Sequence, residues 1–207
     1  MTAVTIGDPL PHVEHPDTIG RRWRTGVVLI VVADAAFVLS FVFSYFYLRG
    51  LNTENHWLAK GSTGASIWVA WAIAAVLVAS AAAYRWGQVG IHDGNESRLA
   101  LGAGVGTALL VVDIVVQVLQ LATFPFAMKD SSYASSVYVL SGANLFHLVL
   151  TLFVGLGLWN RARRGLYSPT NDWQVRVVGI WWSWVALAAV ISAVPVSFIA
   201  SPNHFGG

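Results

Sequence analysis

Apolar residues gather along this chain into five long blocks, near residues 27 to 48, 66 to 86, 99 to 122, 137 to 159 and 177 to 199, separated by shorter stretches that hold most of the charge. Each block reaches the roughly 20 helical residues needed to cross a hydrocarbon layer of about 30 Å. None alternates with the period of two expected of a barrel strand, and a helix in lipid satisfies its own backbone. The pattern predicts an all-α, polytopic membrane protein, a bundle of five transmembrane helices. Residues 1–25 are expected to form a cytoplasmic amino-terminal tail, 26–200 the membrane domain and 201–207 an external tail. No internal repeat is visible, and no linker is long enough to separate two domains.

Composition agrees. With 56% hydrophobic and 11% charged residues and a mean hydropathy of +0.63, 207 residues hold more apolar surface than a water-soluble domain could bury. Nine of the basic residues (Arg21, Arg22, Arg24, Arg85, Arg98, Arg161, Arg163, Arg164 and Arg176) fall on one predicted side, against Arg49, Lys60 and Lys129 on the other. That asymmetry predicts the amino terminus inside and the carboxyl terminus outside. Trp23, Trp86, Trp159, Trp173, Trp181 and Trp182 then fall at inner edges, and Trp57 and Trp68 at outer ones. The net charge of +2 reads as this inner-face excess, meeting lipid headgroups or a partner rather than nucleic acid. Absence of cysteine excludes disulfides, thiolate metal ligands and a cysteine nucleophile. The first 25 residues carry Asp8, Glu14 and Asp17 and lack the apolar core of a secretory signal. His12 and His15, in that tail, have nothing around them to complete a metal site.

Small residues mark helix contacts. Gly102 and Gly106 form a GxxxG at the start of the third span, where backbones can approach closely. Pro195 interrupts the fifth span and predicts a kink near Ile191.

The polar residues inside the spans carry the candidate chemistry. Asp34 stands in the first span, roughly 12 Å from its inner boundary, and His147 in the fourth, about 15 Å from its outer one, so the two could meet near the midplane. Asp113, Gln117 and Gln120 are spaced to share one face of the third helix, and Asn144 shares a face with His147. Charge in hydrocarbon is costly and usually faces a protein partner or a cavity. Three readings stand open for this set. One is interhelical glue of buried amides and an ion pair; another is a proton or ion path; the third is haem ligation, for which His147 would need a second histidine from another helix.

At these residues the chain resembles subunit III of the haem-copper cytochrome c oxidases, in the short form without the first two of seven helices. The family pattern SExMFFxxxxxAYFYLR has its acid eleven residues before the first tyrosine, and Asp34 precedes Tyr45-Phe46-Tyr47-Leu48-Arg49 at that spacing. YGSxFFxxTGxHxxH is similar to Tyr133-Ala134-Ser135 with Tyr138, Ser141, Gly142 and His147 in unbroken register, and a QxxE looks like Gln117 and Gln120. The chain departs from the family at Asn144, where the family has its first histidine, and at Gln120, where it has glutamate. It departs again at Trp181-Trp182-Ser183-Trp184-Val185-Ala186, where YWHFVD is expected.

The resemblance implies a non-catalytic subunit of a terminal respiratory oxidase in the plasma (inner) membrane. Such a subunit packs directly against subunit I, with subunit II in the same complex, and binds phospholipid. It would support proton uptake and carry neither haem nor copper, which belong to its partners. By the same resemblance Asp34 and His147 would be the buried pair, Tyr133, Ser141 and Gly142 would shape the start of the fourth helix, and Arg49 would meet a lipid headgroup. Two other functions fit the sequence: a subunit III-like accessory protein of a nitric oxide reductase, and a free-standing proton-coupled transporter built on Asp34, Asp113 and His147. The transporter would be expected to show inverted repeats and broken helices, which are not visible here.

Overall fold

The apolar blocks mark where the chain meets hydrocarbon, whereas helices continue until a cap satisfies their ends. The computed structural model describes residues 16–52, 57–58 and 61–198. Five helices fill it: α1 (Pro16–Leu51), α2 (Ile67–His92), α3 (Glu96–Ala122), α4 (Ser132–Ala162) and α5 (Trp173–Val196). All five are long and apolar enough to cross a membrane, and no strand occurs among the described residues. The protein is an all-α, multi-pass membrane protein.

Most helices overrun their apolar blocks. α1 starts at Pro16, a residue that suits the first helical position because its missing N–H has no partner to lose. Arg21, Arg22 and Arg24 therefore lie on helix, inside the stretch that composition alone reads as tail. α2 is capped by Ser66, whose hydroxyl accepts from Val69 N–H, α3 by Asn95 with Arg98 N–H, and α4 by Ser131 with Ala134 N–H. Pro195 falls one residue before the end of α5, so it sits in the last turn rather than mid-span. His12, His15, Lys60 and residues 201–207 lie outside the described residues.

Helix contacts define the architecture. α2 touches α3, α3 touches α4, α4 touches α5 and α5 returns to α2, closing a four-helix ring. Among the described residues α1 touches only the helices α4 and α5, so it lies in the outer groove between them. Most of α1 is consequently exposed, including Leu29, Val32, Phe43 and Tyr47. Those side chains face lipid or a neighbouring protein.

Two apolar clusters fill the bundle. The larger is built around Tyr84 and Trp182, whose rings stack at 4.6 Å, with Leu99, Leu110, Leu148 and Val185. The smaller gathers Tyr45, Trp57, Phe126 and Tyr133. Trp181, Trp182 and Trp57 are thus interior packing residues rather than members of an interfacial belt: Trp182 Nε1–H donates to Ser80 Oγ at 3.1 Å, while Trp57 packs edge-on to Tyr45 and Tyr133. Trp23, Trp68 and Trp86 are exposed, as expected of rings at a membrane boundary.

α2 and α3 pack through glycine. A Cβ at Gly102 would meet Ala83 O and the Gly87 backbone at 2.7–2.8 Å, and one at Gly106 would meet Ser80 O at 3.0 Å. The Ser80 hydroxyl donates across that contact to Gly106 O at 2.8 Å.

Candidate functional site: a carboxylate between three helices

Because α1 lies in the α4–α5 groove, its polar residue faces two helices at once. His147 Nε2 lies 3.0 Å from Asp34 Oδ1, and Trp184 Nε1–H donates to Asp34 Oδ2 at 2.6 Å. Both carboxylate oxygens are engaged, one from α4 and one from α5. The side chains of His147 and Asp34 are 3% and 17% exposed, so the histidine is inside the bundle and the acid at its edge.

A second layer fixes the histidine. Trp181 Nε1–H donates to Thr151 Oγ1 at 3.0 Å, and the Thr151 hydroxyl donates to His147 O at 2.7 Å. The Trp181 ring meets the imidazole edge-on at 5.9 Å. Trp181 and Trp184 are three apart on α5, close to one turn, and together present two indole N–H groups to this site. Sequence reasoning placed Trp181 at a membrane edge and gave Trp184 no role. The available signal was the tryptophan spacing itself, since a buried indole N–H needs an acceptor.

Asn144 does not join His147. Residues three apart differ by roughly 60° around a helix, and Asn144 turns to the other flank of α4. There its Nδ2 donates to Gln117 Oε1 at 2.8 Å, and Gln117 Nε2 donates to Gln120 Oε1 at 2.7 Å. Beside this amide chain is a cavity of about 30 Å³ lined in part by Ser141 and Ser192, room for one or two water molecules. Asp113, on the same face of α3, is fully buried, and neither carboxylate oxygen has a hydrogen-bond partner among the described residues. No hydrogen bond or ion pair connects it to Asp34 or His147. Among the described residues the polar set therefore falls into three parts, the Asp34 group, the amide chain and Asp113, with no hydrogen bond joining them.

The remaining sequence candidates lie towards the end of the bundle where α1 finishes and α4 starts. Tyr133 is buried, and its hydroxyl accepts from Ala65 N–H at 2.8 Å, tying the start of α4 to the segment before α2. Gly142 is exposed with open space around its Cβ position. The Arg49 guanidinium lies 5.9 Å from the centre of the Phe198 ring. At the opposite end, in the α4–α5 loop, burial pushes the Tyr167 phenol above the usual tyrosine range against the opposing pull of Arg161. No group of three His, Asp or Glu side chains that could hold a metal ion occurs among the described residues.

The sequence model of the family described as cytochrome c oxidase subunit III matches residues 10–190. The chain belongs to the cytochrome c oxidase subunit III family. A relative from Synechocystis sp., named cytochrome c oxidase subunit 3, is 24% identical over 188 residues, covering 90% of this chain and 78% of its own length. One of the same name from Thermostichus vulcanus is 22% identical over 180 residues, 86% of each chain. Another from Anopheles gambiae is 26% identical over 139 residues, 65% of this chain and 52% of that one. The chain thus spans about half the length of the mosquito relative and more than three quarters of the cyanobacterial ones. Asn144 and Gln120, both read in the sequence as departures from the family pattern, fall in the amide chain between α3 and α4.

Proposed function

We propose that this chain is a non-catalytic subunit of a terminal cytochrome c oxidase in the plasma membrane, with its amino terminus on the cytoplasmic side. It packs against subunit I, in a complex that also contains subunit II, stabilises that catalytic subunit, binds phospholipid and supports proton uptake. Haem and copper reside in the partners. The observation that carries the reading is the carboxylate of Asp34. It resembles the family's acid in its spacing before Tyr45 and is held by His147 and Trp184 at the edge of the bundle, where a neighbouring subunit or lipid can reach it. Asp34 and His147 form the buried pair, and Arg49 contributes a headgroup contact at the opposite end of α1. Gly102 and Gly106 serve packing. Asn144, Gln117 and Gln120 act as interhelical glue, and each such hydrogen bond in a membrane contributes about 0.6 kcal/mol.

Purification in mild detergent tests the assignment. Co-elution with large haem-bearing subunits that turn over cytochrome c and oxygen is the expected result. A haem-free homo-oligomer would favour the transporter, and co-elution with a nitric oxide-reducing complex would favour the accessory-protein reading.

A further inference from the structure

The amide chain between α3 and α4 does not satisfy itself. Gln117 Nε2 donates to Gln120 Oε1 and Asn144 Nδ2 to Gln117 Oε1, but Gln120 Nε2 and Asn144 Oδ1 have no protein partner among the described residues. The hydroxyls of Ser141 and Ser192 have none either. All four residues line the same cavity of about 30 Å³, which α2, α3, α4 and α5 enclose together. None of these four polar atoms is closed off from water, in contrast to the Asp113 carboxyl oxygens and the Trp57 indole nitrogen. A second space, of about 470 Å³, lies between the start of α2 and the end of α3, and its walls include the exposed Thr63, Ser66 and Thr123. Gln120 lines both spaces. It therefore stands as the partition between an outer pocket and the interior of the ring.

We infer that these two spaces form a water-access path, in which water enters between the start of α2 and the end of α3, passes Gln120 and binds in the enclosed cavity. There it completes the hydrogen bonds of Gln120, Ser141, Asn144 and Ser192. Unpaired amides and hydroxyls at membrane depth are costly, because hydrocarbon offers them no partner. A buried water needs a polar site, room for one molecule and two to four partners, and this cavity supplies all three. Its polar walls are neutral amides and hydroxyls with no acid or histidine among them, so the ligand they fit is neutral. The path stops at Asn144, since no hydrogen bond leads on to Asp113 or to the Asp34 group. It is thus independent of the site built on Asp34, and the inference does not rest on the oxidase assignment.

The native chain has no cysteine, so one introduced thiol reports where water goes. Silver ion is the probe, because it travels in water and consumes any thiol that water reaches. The full-length S192C variant, with whatever subunits co-purify, is exposed to silver nitrate for increasing times and then unfolded. Its remaining thiol is counted by maleimide labelling and mass. T123C marks the mouth of the outer pocket, and T107C marks a buried position deeper on α3. S192C should react more slowly than T123C and clearly faster than T107C. Adding Q120L should slow S192C by about tenfold, since an apolar constriction excludes water, and should leave T123C unchanged. Q120N, polar and shorter, should not slow it. S141C takes the place of S192C if that variant is poorly recovered. Reaction of S192C no faster than that of T107C would overturn the hydrated cavity. A rate that Q120L leaves unchanged or raises would overturn entry past Gln120, and so would equal slowing by Q120L and Q120N.

Discussion

Replacing Gly102 by alanine adds one methyl group where there is no room. The new Cβ would lie 2.7–2.8 Å from Ala83 O and from the Gly87 N and Cα, well inside the roughly 3.5 Å at which such atoms attract. All three neighbours are backbone atoms on α2, so no side chain can rotate away. The helices must separate, and overpacking of this kind costs about 1–3 kcal/mol. Alanine recovers about 0.5–1 kcal/mol of helix propensity, leaving a net loss of about 0.5–2 kcal/mol. For a chain of this size that lowers the melting temperature by about 1–8 °C. Gly142→Ala is the control, because nothing lies within 4 Å of its Cβ position; it should leave the melting temperature unchanged or raise it slightly. Tryptophan emission followed during heating in detergent reads both variants, and the ten tryptophans make labelling unnecessary. If G102A melts at or above the native temperature, the close α2–α3 approach is not what holds that contact together. Leucine at both Gly102 and Gly106 should go further and impair recovery of the assembled complex.

Asp34→Ala leaves the four-helix ring untouched, so the complex should assemble while its catalytic lifetime shortens or its proton uptake slows. Turnover and lifetime equal to those of the native complex would refute the role given to the acid. Trp184→Phe removes the 2.6 Å donor to Asp34 and should weaken docking of α1 by about 1.5–3 kcal/mol, the range for hydrogen bonds to charged groups; faster proteolysis in the segment joining α1 to α2 would register it. Asn144→Leu should cost less, about 0.6 kcal/mol, and a melting point lowered as far as in G102A would mean that the amide chain does more than join α3 to α4.

The five spans were legible because apolar blocks of membrane length have one stable backbone solution. Their ends were not, since arginines before residue 27 look like tail by composition while the helix carrying them needs only an acceptable first residue, here Pro16. Asp34 and His147 stood out by their cost in hydrocarbon, and their facing depths made a meeting plausible. The third member did not, because Trp184 is ordinary in a membrane helix until α1 is known to lie between α4 and α5. Helix order in space, which sequence spacing does not encode, likewise divided Asn144 from His147 and left Asp113 without a hydrogen-bond partner among the described residues.

The placement of α1 on the outside of a closed ring has a consequence for biosynthesis. This helix leaves the ribosome before α2 to α5, yet the helices that receive it, α4 and α5, are the two made last among these five. Until α4 is inserted the carboxylate at position 34 lacks its imidazole, and until α5 follows it lacks its indole, so the docking of α1 is completed only after both. A nascent chain stalled before α4 would therefore hold an acid in the bilayer with neither of its two partners yet made.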